Sequence, residues 1–321
     1  MPCPTQAITE LLQRHIGAAV SEDSLQLIAT GASGRSIMRS TCPQARGLLG
    51  IYWTNDRADN ASFVPAARGL AAAGVQVPAI LAETDLGNGK GTCLVQDLGS
   101  SDLLSLKGAP WVEIRKAYTQ ALQTVITLHH IKPNWELQPA FDEAMYRWEQ
   151  SYFAEHLVGQ HLGKSSAEFL AHPALQNMAA HLASLPRVPI HRDFQSQNVM
   201  LHNGQAWLID FQGMREGRPE YDIASLIYDP YMDFSEQQSD ELLEIYAQLN
   251  GNAPQADIMS ACAMQRLMQA LGAFANIGYN QKRDWYLNLI PTGLRKLRQL
   301  AARVPVGSPC QDVAQWLLNV I

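Results

Sequence analysis

Two carboxylates and one amide stand at short, ordered intervals in the second half of the chain. Asp193 ends a His-Arg-Asp tripeptide, Asn198 follows after four residues, and Asp210 begins an Asp-Phe-Gln tripeptide twelve positions later. Magnesium prefers hard oxygen ligands such as carboxylate and amide oxygens, with phosphate oxygens and water completing its shell. A further carboxylate can orient an attacking hydroxyl and accept its proton. The set therefore indicates phosphoryl transfer.

A hairpin is predicted to bring these groups together. Asn203-Gly204 is a strong signal for a type I′ turn, because both residues tolerate a positive φ. A two-residue turn at this point pairs His202 with Gln205. Counting back along both strands then pairs Asn198 with Ile209.

Asp210 falls beside Asn198 on the facing strand of this hairpin. Cross-strand neighbours of this kind lie roughly 5–8 Å apart. We therefore expect the amide of Asn198 and the carboxylate of Asp210 at one end of the hairpin, with Asp193 in the loop that leads into it.

The same residues match the kinase pattern H-R-D-x-x-x-x-N followed by D-F-G, with glutamine in the last position. A single Asp, Asn or His in a loop is usually a turn former or a helix cap. The ordered set in a predicted strand-turn-strand context favours chemistry over that structural role.

The first third of the chain has the pattern of a small β-rich unit. Extended segments are predicted at 24–29, 37–39, 47–53, 75–81 and 92–98, with a glycine-rich turn at 85–91. The alanine-rich stretch 62–73 is typical of a helix, and Gly74 fits its C-terminal end. This part is the expected N-terminal lobe, residues 1–98.

The remainder, residues 99–321, reads as a larger helical lobe. Apolar residues recur at the helical period in 112–131 and again in 264–274. One β island at 190–211 interrupts the helices and carries the residues described above. The pattern predicts an α+β, two-lobed fold with a small β-rich N-lobe and a larger helical C-lobe, joined near 97–102.

Composition excludes several classes of protein. The 321 residues are 47% hydrophobic with a formal charge of −6, which disfavours a nucleic-acid binder. No apolar run approaches the eighteen or so residues of a membrane span. The five cysteines are scattered without a C-x-x-C pair, which favours a reducing, cytoplasmic setting over a disulfide framework or a zinc cluster.

These motifs resemble the aminoglycoside phosphotransferase and choline kinase superfamily, which shares the protein-kinase fold. The D-F-Q tripeptide and the segment from Tyr221 to Tyr231 make the chain most similar to bacterial anomeric kinases of N-acetylmuramate and N-acetylglucosamine, which act in cell-wall (peptidoglycan) recycling. The similarity spans about residues 25–300.

The resemblance implies roles for individual residues and two cofactors, ATP and Mg²⁺. Asp193 would be the catalytic base, and Asn198 and Asp210 would hold the magnesium. His191 and Asp222 would support the catalytic loop, although Asp222 could instead cap a helix. The ATP-binding residues would be those of the loop over the phosphates and of the hinge beside adenine: Gly31, Ala32, Ser33, Gly34, Arg35, Val95, Gln96, Asp97 and Leu98.

The acceptor is expected to reach Asp193 from the helical lobe. Residues there with chemistry suited to a sugar are Asp229, Arg215, Glu143 and Gln212. An acidic pocket would suit an aminoglycoside or choline, whereas a neutral pocket with one arginine would suit an N-acetylated sugar or a lactyl carboxylate.

The implied activity is transfer of the γ-phosphoryl group of ATP to a sugar hydroxyl, with a small molecule as partner and neither nucleic acid nor membrane. An anomeric hydroxyl of N-acetylmuramate or N-acetylglucosamine is the first candidate acceptor. Antibiotic or choline phosphotransferases and a nucleotide-binding pseudokinase scaffold remain as alternatives.

One departure from the general kinase pattern motivates the scaffold alternative. Kinases of this fold usually carry a lysine on the third strand, paired with a glutamate on the next helix. Segment 47–53 contains no lysine and segment 63–73 contains no glutamate. The similar sugar kinases also lack this lysine, and Arg35 and Arg39 could supply positive charge in its place.

Overall fold

A five-stranded antiparallel sheet forms the smaller lobe of the computed structural model, which describes residues 3–30 and 34–321. Numbered along the chain, its strands lie in the order first, second, third, fifth and fourth. The strands are β1 (Leu25–Thr30), β2 (Ser36–Ser40), β3 (Leu48–Trp53), β4 (Ile80–Gly87) and β5 (Lys90–Gln96). The first three begin within one residue of the predicted segments.

The hairpin of β4 and β5 differs from the prediction. β4 begins at Ile80 and runs to Gly87, and the turn is only Asn88 and Gly89, both with positive φ. β4 lies at the edge of the sheet, and its residues alternate between exposed and half-buried. Polar residues such as Glu83 and Asp85 therefore continue the strand on its solvent face instead of ending it.

Two α-helices belong to the smaller lobe, and helices make up most of the larger lobe. In chain order the helices are α1 (Pro4–Ile16), α2 (Phe63–Ala72), α3 (Trp111–His129), α4 (Glu143–Phe153), α5 (Ser166–Ala171), α6 (Pro173–Ser184), α7 (Pro219–Ile227), α8 (Glu236–Asn250), α9 (Ala256–Asn280), α10 (Ile290–Ala302) and α11 (Gln311–Val320). A π-helical segment, Ala154–His161, extends α4. Two short strand pairs lie among them, β6 (Val188–Ile190) with β9 (Arg215–Gly217) and β7 (Val199–His202) with β8 (Gln205–Leu208). The α+β, two-lobed prediction is confirmed.

The N-terminal helix α1 was not predicted. It packs on one face of the sheet, where Ile8 is fully buried against β3. The contact is so close that a Cβ at Gly50 would lie 2.2 Å from Cγ2 of Ile8. The glycine in this strand is thus explained by the approach of α1.

Three contacts join the two lobes around the β7–β8 hairpin. The ring of Phe63 in α2 stacks on Phe211, with centroids 5.3 Å apart and planes at 7°. The N–H of Leu208 donates to the carbonyl of Gln76, and Nδ1 of His202 lies 3.1 Å from the carbonyl of Leu98. The hairpin is therefore fixed against both lobes. In the described part of the chain, no helix is long and apolar enough to cross a membrane.

Candidate active site

The β7–β8 hairpin has the predicted register. Asn203 and Gly204 adopt φ values of 50° and 72°, and His202 pairs with Gln205. The N–H of Ile209 donates to the carbonyl of Asn198 at 3.0 Å, as the count along the strands predicts. Turn chemistry alone therefore sets the relative position of the two segments that carry the oxygen donors.

Asn198 and Asp210 offer the donor atoms that magnesium prefers. The Nδ2 of Asn198 donates to the carbonyl of Asp193 at 2.9 Å, which leaves the amide oxygen as its ligand atom. The Asp210 side chain is 43% exposed, and its backbone lies in the left-handed region at φ 62°. A partly exposed carboxylate and an amide oxygen fit a magnesium ion, which takes few protein ligands and completes its shell with phosphates and water.

Two donors from different lobes converge on one oxygen of Asp210. The guanidinium of Arg35 lies 2.5 Å from Oδ1, and Nε2 of Gln212 donates to the same atom at 2.9 Å. Gly34, beside Arg35, is exposed at φ 71°. The predicted phosphate-loop residues Gly31, Ala32 and Ser33 lie outside the described residues.

The loop that carries Asp193, which is the predicted catalytic loop, is held from beneath by Asp222. This fully buried carboxylate accepts the backbone N–H groups of His191 at 2.7 Å and Arg192 at 2.8 Å. It also lies 3.0 Å from Nε2 of His129. The N-cap of α7 is Arg218, so Asp222 does not cap the helix.

His191 joins the predicted catalytic loop to the segment that precedes Asp210, a predicted metal ligand. Its Nε2 lies 2.9 Å from the carbonyl of Ile209, the residue directly before Asp210. The imidazole is fully buried, which suits a bracing group better than one that contacts substrate.

Asp229 also lies beneath the loop, and its placement revises the acceptor role expected for it. It is 2% exposed, and its Oδ2 accepts both the N–H and the hydroxyl of Ser196 at 2.9 and 2.6 Å. Its Oδ1 accepts the N–H of Tyr231 at 2.9 Å. Both oxygens are engaged with the loop, so Asp229 is not carried forward as an acceptor ligand.

Arginines surround the carboxylate of Asp193. Its side chain is 35% exposed, and guanidinium nitrogens of Arg192 and Arg266 each lie 3.8 Å from its oxygens. Although burial raises the pKa of Asp193, the charges of Arg192 and Arg266 outweigh it and hold the pKa below its usual range. Asp193 is therefore kept ionised at neutral pH, as a proton acceptor requires.

Arg215 and Gln212 are two further residues predicted to contact the acceptor, and both are buried. Arg215 is 7% exposed, donates to the carbonyl of Pro139 at 3.1 Å and lies 5.4 Å from the ring centroid of Phe141. Its Nε, like the amide oxygen of Gln212, is buried without a hydrogen-bond partner among the described residues. Such atoms are costly unless a ligand or water completes them. By contrast, Glu143 is an exposed residue at the start of α4.

The predicted adenine hinge is anchored by its own backbone and by one ion pair. The N–H groups of Gln96 and Asp97 donate to the carbonyls of Ala79 and Gly47. Arg39 binds the Asp97 carboxylate through two nitrogens, at 2.6 and 2.8 Å. Val95 lies within β5, and Leu98 is buried. These bonds fix the position of the segment, whatever backbone groups contact a nucleotide.

Comparison with known proteins decides the family. Residues 24–260 match the model of the phosphotransferase enzyme family. This chain belongs to that family. An N-acetylmuramate/N-acetylglucosamine kinase of Pseudomonas aeruginosa is 30% identical over 269 residues, covering 76% of this phosphotransferase and 74% of the relative. A kinase of the same name from Neisseria meningitidis is 26% identical over 251 residues, covering 73% of each chain.

Solved structures confirm the kinase-like fold of this phosphotransferase. An aminoglycoside phosphotransferase of Streptomyces rimosus, bound to ADP and streptomycin, superposes with a TM-score of 0.58 at 16% identity, covering 84% of this chain and 99% of that one. A choline/ethanolamine kinase family protein of Mesorhizobium loti gives 0.59 at 15% identity, covering 91% and 92%.

Sequence reasoning missed Arg266 as a site residue of this phosphotransferase. It lies within α9, is 6% exposed, donates to Oγ of Ser225 at 2.8 Å and approaches Gln195 at 3.3 Å. The helical stripe at 264–274 reads as plain core. The available signal was the arginine itself, because an unpaired charge is rarely buried in a core helix.

Activity should persist to unusually low pH, because the predicted catalytic base is the carboxylate of Asp193 and the pKa of Asp193 is lowered. We expect the acidic limb of kcat/KM to lie below the ordinary aspartate value of about 3.9. Arg192→Met removes the first of the lowering charges and should move that limb to higher pH. Short pH-jump assays of wild type, Arg192→Met and the exposed control Arg68→Met test this. A limb that stays fixed in Arg192→Met contradicts it.

Proposed function

We propose that this phosphotransferase moves the γ-phosphoryl group of ATP, with Mg²⁺, to the anomeric hydroxyl of N-acetylmuramate and N-acetylglucosamine. The names of the relatives support this acceptor class. The proposal assigns nucleotide binding to residues 1–98, and the catalytic loop and acceptor site to 99–321. It places the reaction in the cytoplasm, where ATP is available.

The observation that carries the proposal is the positive charge around Asp193. Arg192, Arg266 and Arg215 all act on this carboxylate. Aminoglycosides and choline are cations, and they would bring further positive charge beside these guanidinium groups. A neutral sugar or one with a carboxylate avoids that repulsion.

A second acid, Glu149, lies near these arginines, but it does not make the surroundings of Asp193 attractive to a cation. Glu149 is fully buried and accepts hydrogen bonds from Tyr221 at 2.7 Å and Gln265 at 2.9 Å. Burial raises the pKa of Glu149, and this effect outweighs the lowering by Gln265 and Tyr221. Both carboxylate oxygens of Glu149 are thus engaged inside the protein, and this buried acid is not presented to a cationic acceptor.

The proposed reaction asks little covalent chemistry of the protein. The sugar oxygen forms a bond to the γ-phosphorus. The bond between that phosphorus and the β–γ bridging oxygen breaks, and ADP leaves. Asp193 orients the hydroxyl and takes its proton, and its low pKa suits a group that positions more than it deprotonates. Asn198 and Asp210 would hold the magnesium, which neutralises phosphate charge when bound.

A coupled ADP-release assay tests the proposal against its rivals. The panel is N-acetylmuramate, N-acetylglucosamine, glucosamine, choline and kanamycin, and product NMR identifies the phosphorylated hydroxyl. We expect turnover of the two N-acetylated sugars at the anomeric position. Turnover of kanamycin or choline alone would overturn the acceptor assignment, and nucleotide binding without turnover of any acceptor would favour a scaffold.

Arg215 should discriminate between the two sugars. Its buried Nε lacks a partner among the described residues, and a lactyl carboxylate, present only in N-acetylmuramate, would complete it. We expect Arg215→Met to raise KM for N-acetylmuramate by about tenfold or more, as for loss of a charge-assisted hydrogen bond, and to leave KM for N-acetylglucosamine nearly unchanged. Arg215→Lys keeps the positive charge and therefore controls for its loss. The melting temperature of each variant shows whether packing is lost. Equal changes for both sugars would contradict the assignment.

A further inference from the structure

The position of the usual kinase lysine is apolar in this chain. Leu49 and Ile51 occupy the face of β3 that packs against the main core. At the start of the following helix α2 stands Phe63, with no glutamate anywhere in that helix. Neither member of the usual lysine–glutamate pair is present, so the phosphate contact that the lysine makes has to come from another element.

Arg35 reaches this place from the neighbouring strand. In β2, Ile37 pairs with Ile51 of β3, and side chains alternate between the two faces of a strand. Arg35 lies two residues before Ile37, directly outside β2, and its neighbour Phe63 belongs to the same core cluster as Ile51. Its side chain is 6% exposed, and its guanidinium carbon lies 5.2 Å from the ring centroid of Phe63.

The ring beneath Arg35 links it to the Asp-Phe-Gln segment. Phe63 stacks on Phe211, and the residue before Phe211 is Asp210, whose Oδ1 lies 2.5 Å from the Arg35 guanidinium. Arg35, Phe63 and Phe211 thus form one column across the two lobes. A cation over an aromatic ring is attracted by the electrons of the ring face, so Phe63 can anchor the guanidinium in this column.

We propose that Arg35 replaces the missing lysine and exchanges partners when nucleotide binds. It pairs with Asp210 in this structure, and it moves to phosphate oxygens when Asp210 takes up magnesium, with Phe63 as its anchor in both arrangements. The proposal rests on the proposed function, because it concerns the nucleotide of that reaction.

The charges at Asp210 favour such an exchange. Arg35 and Gln212 both donate to Oδ1 of Asp210, so a magnesium ion arriving alone meets a carboxylate whose charge is already paired with a guanidinium. Nucleotide phosphates supply a new partner for the displaced guanidinium, and arginine suits them because its planar donors match phosphate oxygens. Metal and nucleotide therefore bind more tightly together than either does alone.

Arg39 is the other arginine flanking the loop, and it is committed elsewhere. It binds Asp97 through two nitrogens and also donates to the carbonyl of Gly99. These contacts hold it at the predicted hinge, whereas Arg35 lies at Asp210, the predicted metal ligand.

Nucleotide affinity gives the first test. Calorimetric titration with ATP, with and without Mg²⁺, compares wild type, Arg35→Met, Arg35→Lys and the control Arg68→Met, whose arginine pairs with Glu83 on the lobe surface. We expect Arg35→Met to weaken ATP binding by about tenfold or more, Arg35→Lys less, and Arg68→Met not at all. An Arg35→Met protein that binds ATP within about twofold of wild type overturns the inference.

Metal affinity without nucleotide gives the second test, with the opposite sign. Electron paramagnetic resonance of Mn²⁺ should show tighter binding to Arg35→Met than to wild type, because Asp210 is released, and loss of binding in Asp210→Asn. A purely structural ion pair would lower the melting temperature of Arg35→Met and leave both affinities unchanged, which overturns the inference. Wild type that binds no ATP refutes the proposed function itself, whereas normal wild-type binding with unchanged Arg35→Met refutes only the role of Arg35.

Discussion

Asp193→Asn should lower kcat by about 10³-fold, within the range attributed to a positioned general base. The amide keeps the size of the side chain and can still accept a hydrogen bond, but it cannot take the proton of the acceptor hydroxyl. It also leaves Arg192 and Arg266 without the carboxylate that lies 3.8 Å from each of them. Single-turnover and steady-state rates with N-acetylglucosamine measure the loss.

The fold should survive this change. The backbone carbonyl of Asp193, and not its carboxylate, accepts the bonds from Asn198 and from the N–H of Gln195 that shape the loop. We therefore expect a melting temperature and an ATP affinity close to those of wild type. Asp233→Asn, at a surface carboxylate paired with Arg295, is the matched control and should keep full activity. Turnover of Asp193→Asn within about tenfold of wild type would mean that another group accepts the proton.

Local chemistry explains which parts of the site could be predicted. The Asn203-Gly204 turn fixes the hairpin register, and the register fixes Asn198 beside Ile209 and Asp210. None of these relations depends on the rest of the fold. The same reasoning predicts α2, because its alanine-rich composition and the glycine after its end indicate a helix without any tertiary contact.

Relations between distant segments could not be predicted in this way. Arg35 and Asp210 are 175 positions apart and meet only because β2 and the hairpin pack against a shared aromatic column. Asp229 shows the converse error, since its carboxylate has the chemistry of a sugar ligand and its burial beneath the loop is set by packing. Residue type indicates what a side chain can do, whereas tertiary packing decides what it can reach.

The helix α1 is a different kind of omission. Its buried residues Ala7, Ile8, Leu11 and Leu12 recur at helical spacing, and Gly17 follows as a left-handed cap. The signal was therefore present in the sequence. Its packing partner is Gly50 of β3, which from sequence is only a residue that weakens a strand. The close approach of α1 explains why a glycine stands at this position.

Asp222→Asn should damage both folding and catalysis. The carboxylate accepts three donors in a fully buried place, and an amide would point N–H groups at one of the backbone N–H groups it now satisfies. Each unsatisfied buried donor costs about 1–3 kcal/mol, so we expect the free energy of unfolding to fall by about 3 kcal/mol. Denaturant unfolding of the variant beside Asp233→Asn measures this loss.

Asp222→Asn should lower kcat even under conditions in which the variant is fully folded. Arg192 is held at φ 76°, a left-handed conformation that costs a non-glycine residue of order 1–3 kcal/mol and persists only when its surroundings impose it. The two bonds from Asp222 to the N–H groups of His191 and Arg192 impose it here. Without them Arg192 relaxes and Asp193, the next residue, leaves its position. We expect kcat to fall by about 10²-fold at a temperature where circular dichroism shows native structure, because a small misplacement of a catalytic group costs this much. A folded variant with wild-type kcat would show that the loop holds its shape without the carboxylate.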